Sequence, residues 1–68
     1  MTRKGKFMIH CVECYRLNRN LSGMEVSELF SRYGVFDFII RYFESLHVNG
    51  ERYIVEELDE YIANHKAA

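Results

Sequence analysis

The sequence predicts one small all-α domain of four helices. Three observations carry this reading. Apolar residues recur at i, i+3, i+4 and i+7 in several segments, one segment opens with a capping box, and the absence of Pro leaves punctuation to four Gly and a few caps. The 68 residues are expected to make a single helical domain, residues 1–68. A chain this short buries only about 60% of the surface that its unfolded form exposes, so its core is thin and association with a partner is favoured.

The first helix is expected from about Lys6 to Asn18, with Phe7, Met8, Cys11, Val12 and Tyr15 on one face and Lys6, His10, Glu13 and Arg16 on the other. Ser22 and Glu25 then have capping-box spacing, which starts a second helix: a hydroxyl meets orphan N–H groups and a carboxylate reaches back. Val26, Leu29, Phe30 and Tyr33 give that helix its inner face, and Gly34 supplies a left-handed residue to end it.

A third helix is expected over about Phe36 to His47. Asp37, Arg41, Glu44, Ser45 and Val48 share one side of it, and nearly everything else is apolar. At 100° per residue the apolar arc covers roughly 200°, about twice what one core-facing surface helix needs. Such a helix is either central or meets a partner. Phe38 and Tyr42 flank the arc on one side, Phe36 and Ile40 on the other, which makes these four candidates for a partner interface.

Asn49-Gly50 marks a turn. The β-branched run at Tyr53-Ile54-Val55 fits a short extended segment or the opening of the last helix equally well. Ile54, Leu58, Tyr61 and Ile62 form the inner face of that helix, which ends near His65, and its acidic residues lie early, where the helix dipole favours them.

Composition narrows the function. With 49% hydrophobic and 28% charged residues the chain has the balance of a folded protein. The formal net charge of −1 argues against general polyanion binding, but it is uneven: residues 1–20 carry net +4 and residues 48–68 net −3, an arrangement that pairs the ends within one molecule or across a dimer. The apolar run Phe7 to Val12 contains His10 and stops at Glu13, too short and polar for a signal or a spanning segment, so a cytoplasmic protein with no membrane association and reduced thiols is expected.

Cys11-Val12-Glu13-Cys14 has C-x-x-C spacing. A redox pair wants its first Cys at a helix N-terminus, and a zinc site wants two further ligands near in sequence, whereas His47 and His65 are remote. Buried thiols acting as small hydrophobes are the expectation, with no metal and no cofactor. His10 reads as a solvated residue, and His47 and His65 as caps in last helical turns. Glu56, Glu57 and Glu60 read as a solvated acidic face, no triad assembles, and no catalytic residue is expected, so the chain is not read as an enzyme. The third helix offers Asp37, Phe38, Arg41 and Glu44 where a recognition helix should present Arg, Lys, Asn or Gln, which argues against major-groove reading.

From Leu21 onward the chain resembles a family of short bacterial proteins known as domain of unknown function 3791. The resemblance rests on Leu21-Ser22-Gly23 with Glu25-Val26 and Leu29-Phe30, on Tyr33-Gly34-Val35, on Leu46-His47, and on Tyr53-Ile54-Val55-Glu56 with Leu58, Tyr61 and Ile62. Leu58 stands where an Ile is expected, a departure that touches packing only. Members are often encoded near predicted ADP-ribosylating toxins, so the resemblance implies an antitoxin-like or accessory protein that binds a toxin; it brings no catalytic residue to transfer. His47 is the one polar position in these motifs that capping does not fully explain, and it joins the candidate interface. The function expected is therefore a protein-binding module. The alternatives are a nucleic-acid-binding regulator that uses Arg3, Lys4, Lys6, Arg16 and Arg19 around the first helix, and a structural homo-oligomer such as a homodimer.

Overall fold

The computed structural model describes residues 1–66; the last two residues of the expected domain, 67 and 68, lie outside the described residues. Five α-helices follow one another: α1 (Arg3–Arg19), α2 (Gly23–Arg32), α3 (Val35–Arg41), α4 (Phe43–His47) and α5 (Glu51–Lys66), with no strand among the described residues. The all-α class is as expected, two details of the expected layout are corrected, and one that the sequence left open is decided.

The first helix begins three residues earlier than the apolar pattern suggests, because Thr2 caps it: the Gly5 N–H donates to Thr2 Oγ1 at 3.0 Å. It ends at Asn20, which takes the left-handed conformation (φ 55°) and donates its backbone N–H to the Arg16 carbonyl.

The expected third helix is two. At Tyr42 the backbone leaves helical geometry (φ −108°, ψ 24°), and α4 starts at the next residue. Val35, Phe36, Phe38, Ile39, Ile40, Tyr42 and Phe43 are all β-branched or aromatic and so come from the weaker half of the helix-propensity ranking. Local preference does little to hold this stretch straight, and packing decides its path. The break brings Phe43 edge-on to Phe7 of α1 (5.4 Å between ring centroids).

Tyr53-Ile54-Val55 is helical, not extended. A β-branched residue costs a helix at most about 0.7 kcal/mol, whereas full burial of such a side chain is worth roughly 1.5–3 kcal/mol. Ile54 and Val55 are both buried and continue one face with Leu58 and Ile62, so burial wins.

The core lies between α1 and the other four helices, all of which pack against it. Cys11, Val26, Phe30, Val35 and Leu58 are completely enclosed. Phe30 sits between Tyr15 and Phe36 in edge-to-face contacts at 5.3 and 5.6 Å. On the polar side Tyr15 donates its hydroxyl to Asp59 at 2.7 Å, and Asp59 also pairs with Arg19, joining the basic and acidic ends within one molecule. Among the described residues no helix is long and apolar enough to cross a membrane.

The capping box of α2 is complete. Glu25 N–H donates to Ser22 Oγ at 3.1 Å, and Ser22 N–H donates to the Glu25 carboxylate at 2.9 Å. Bonding first from the Ser22 backbone and then from its side chain holds the Glu25 carboxyl below the usual carboxylate range. That contribution to stability is present above the unfolded-state carboxylate pKa and is lost as pH falls through the lower folded value. Ser22→Ala is expected to cost about 1 kcal/mol, measured as a lower urea midpoint at unchanged slope; an unchanged midpoint would mean that the cap does not stabilise the domain.

Candidate functional site

Between α3 and α5 lies a cleft of about 400 Å³. Gly34 opens it. This residue is left-handed (φ 68°), so the chain reverses between α2 and α3 in two residues, and a side chain there would be strained. Phe38 of α3 and Tyr61 of α5 form the floor, stacked at 4.3 Å and 27° between planes. Tyr42 leans on Phe38 at 5.1 Å, and His65 lies over Tyr61 at 4.0 Å. Asp37 and Arg41, one helical turn apart, place opposite charges on the rim.

Two atoms in the cleft have defined chemistry. His65 Nδ1 lies 2.8 Å from the Tyr61 carbonyl, which can only accept, so Nδ1 carries a proton, and in the neutral ring Nε2 is then the acceptor. Tyr42 is 47% exposed, whereas Phe38 and Tyr61 are partly buried. The cleft thus offers an aromatic floor, one cation, one anion and a free imidazole nitrogen to a visiting side chain.

Four of the five candidate interface residues fall on three surfaces, and Ile40 lines none of them. Phe38 and Tyr42 line the cleft. Phe36 points the other way, onto Phe30, where it borders a shallow apolar depression of about 270 Å³ with Met8, Ile9 and Val12 of α1. Ile40 is exposed on its own. His47 belongs to a third surface, stacked on Phe43 at 4.5 Å and edge-on to Phe7 at 6.5 Å, with Arg3 and Lys6 close by. Its Nδ1 donates to the Phe43 carbonyl at 2.9 Å, the capping role that its position in the helix suggests. Tyr61 and His65 complete the cleft from a distant part of the chain. In the sequence Tyr61 reads as part of the inner face of the last helix and His65 as a cap, and their i, i+4 spacing is the signal that pairs them.

The two cysteines have different surroundings, and both are free thiols. Cys11 is wholly enclosed; burial, and secondarily its neighbour Cys14, push its thiol up to about 12. Cys14 faces the edge of the core, one turn from His10, whose Nε2 lies 3.4 Å from Cys14 Sγ. Glu51, the first residue of α5, comes to the same place, so that one donor atom each from His10, Cys14 and Glu51 lie within 4.8 Å of one another. Burial, then the carboxylates of Glu51 and Glu13, push the Cys14 thiol up. Glu13 itself is held low by its hydrogen bond from Arg16, at 2.8 Å from Nη2.

A family model described as a protein of unknown function, DUF3791, matches residues 6–65. The chain belongs to the DUF3791 family. No curated protein and no solved structure matches it. Within this DUF3791 chain the matched stretch holds the whole cleft and the His10–Cys14–Glu51 cluster, whereas Arg3 and Lys4 lie outside it.

With a chelator present at pH 8, the folded protein is expected to react slowly with a thiol reagent. A thiol at about 12 against the ordinary 9.0 is ionised roughly a thousandfold less, and enclosure limits access further. Modification should accelerate on unfolding in denaturant, with Cys14 reacting ahead of Cys11 in the native state. Rapid native-state labelling of Cys11 would contradict its place in the core.

Proposed function

We propose that this domain is a small protein-binding module and that the α3–α5 cleft receives a side chain of its partner. The observation that carries the reading is Tyr42: half-exposed, preorganised against Phe38, and set beside a stacked Phe38–Tyr61 floor. Tyr anchors of this kind are enriched at protein interfaces because they offer large amphipathic contact area with few rotatable bonds. The Asp37 and Arg41 rim adds the polar selectivity that an apolar floor lacks.

The sharpest form of the reading is antitoxin-like. The family resemblance implies a toxin as neighbour and partner, met in the cytoplasm, and a domain with no assigned catalytic residue suits neutralisation by occupancy. Binding of nucleic acid is the second reading, supported by Arg3, Lys4 and Lys6, all exposed at the start of α1. The two differ in salt dependence: phosphate contacts weaken steeply with salt, and a complex anchored by aromatics does not.

Affinity purification of the tagged chain from its native bacterium, with light scattering of the purified protein, tests this. A stoichiometric protein partner is expected, and Tyr42→Ala should weaken that complex by about 1 kcal/mol or more while the monomer stays folded by circular dichroism. Recovery with nucleic acid, or as a lone oligomer, would replace the reading. Indifference of the complex to Tyr42→Ala would move the interface away from the cleft.

A further inference from the structure

We propose that His10, Cys14 and Glu51 form a binding site for one divalent ion of the zinc class, with a fourth position open to solvent. The proposal rests on three donors of different kinds converging from two helices. His10 and Cys14 are i, i+4 neighbours on α1, a spacing that stacks two side chains on one face. Glu51 arrives from the start of α5, 37 residues further along the chain than Cys14, so only tertiary packing brings it to this pair.

The distances suit the ion. Zinc holds sulfur at about 2.3 Å and imidazole nitrogen at about 2.0–2.1 Å in tetrahedral geometry, which separates those two donors by roughly 3.6 Å. His10 Nε2 and Cys14 Sγ are already 3.4 Å apart. All three donors lie within 4.8 Å of one another, so a modest change in the exposed Glu51 side chain completes the set. The donor set is selective as well. Thiolate with imidazole and carboxylate suits a borderline-soft ion and disfavours calcium and magnesium, which take oxygen donors.

Charge points the same way. Thiolate and carboxylate together neutralise a 2+ ion, and without a cation the buried sulfur faces the carboxylates of Glu51 and Glu13. His10 and Glu51 are exposed while Cys14 is buried, which gives the ion an entry path from solvent and a wall of core behind it. On binding, the Cys14 S–H bond breaks and its proton leaves to buffer, a sulfur–metal bond forms, neutral His10 donates its Nε2 lone pair, and the ion sheds water; no atom changes oxidation state. Cys11 takes no part, because its enclosed sulfur is not among the converging donors. The site is therefore not a C-x-x-C site, although it uses one cysteine of that motif.

The test uses the full chain, stripped with chelator and kept reduced. Zn²⁺ is titrated by calorimetry, and Co²⁺ by absorbance as a spectroscopic stand-in. One ion per chain is expected, with a thiolate-to-cobalt charge-transfer band of one-thiolate intensity. His10→Ala and Glu51→Gln alter exposed residues and should leave the fold intact by circular dichroism while lowering affinity at least tenfold. Cys14→Ser should abolish the charge-transfer band. Absence of stoichiometric binding, equal affinity in both His10→Ala and Glu51→Gln, or a band of two-thiolate intensity would each overturn the proposal.

Discussion

A chain this short has room for one layer of core, and that layer is assembled on a single helix. The Cys11, Cys14 and Tyr15 face of α1 meets all four other helices, which makes α1 the common surface rather than one member of a ring. Cys11 sits at its centre with no exposed area. A small side chain there lets neighbouring helices approach closely, and close-packed interiors tolerate extra methylenes poorly: overpacking costs about 1–3 kcal/mol. The thiol at this position is explained by its volume before any chemistry is invoked. The chemistry belongs to Cys14, one turn away at the edge of the same layer.

The opposite charges of the two ends of the chain contribute less than their sums suggest. They meet where Arg19 and Tyr15 share Asp59, while Arg3 and Lys4 lie over the Phe43 ring at 5.5 and 5.9 Å. An exposed ion pair is worth about 0–1 kcal/mol, whereas each fully buried aliphatic side chain between α1 and α5 is worth roughly 1.5–3 kcal/mol. Apolar contact therefore holds α5 against α1, and the Asp59 network fixes how the two align.

How much of this was legible in the sequence depended on whether the cause was local. The capping box at Ser22 and Glu25, the stop at Gly34, the inner face of α5 and the caps at His47 and His65 all follow from residues within one turn of each other, and all are present. The break at Tyr42 and the helical state of Tyr53–Val55 were hidden because propensity there is weak and burial against other helices decides. The cleft was half legible. Phe38 and Tyr42 stood out from an apolar arc too wide for one surface helix, but Tyr61 and His65 reach it only through the packing of α5 on α3. The cysteine cluster shows the same limit. His10 and Cys14 carry a readable i, i+4 spacing that the more conspicuous C-x-x-C pattern obscured, and Glu51 is brought to them by tertiary structure alone.

The connections between the helices have a consequence for how the molecule folds. They span three, two, one and three residues, so nearly every helix packs against a neighbour adjacent in sequence. Such contacts close small loops, and topologies rich in them fold in microseconds to milliseconds. The pairing of α1 with α5 is different. Tyr15 and Asp59 are separated by 44 positions, and each doubling of loop length adds about 0.6 kcal/mol of closure entropy. The contact that brings the two ends of the chain together is thus one with a high entropic cost to form, and the native middle helices shorten the path that this loop must span.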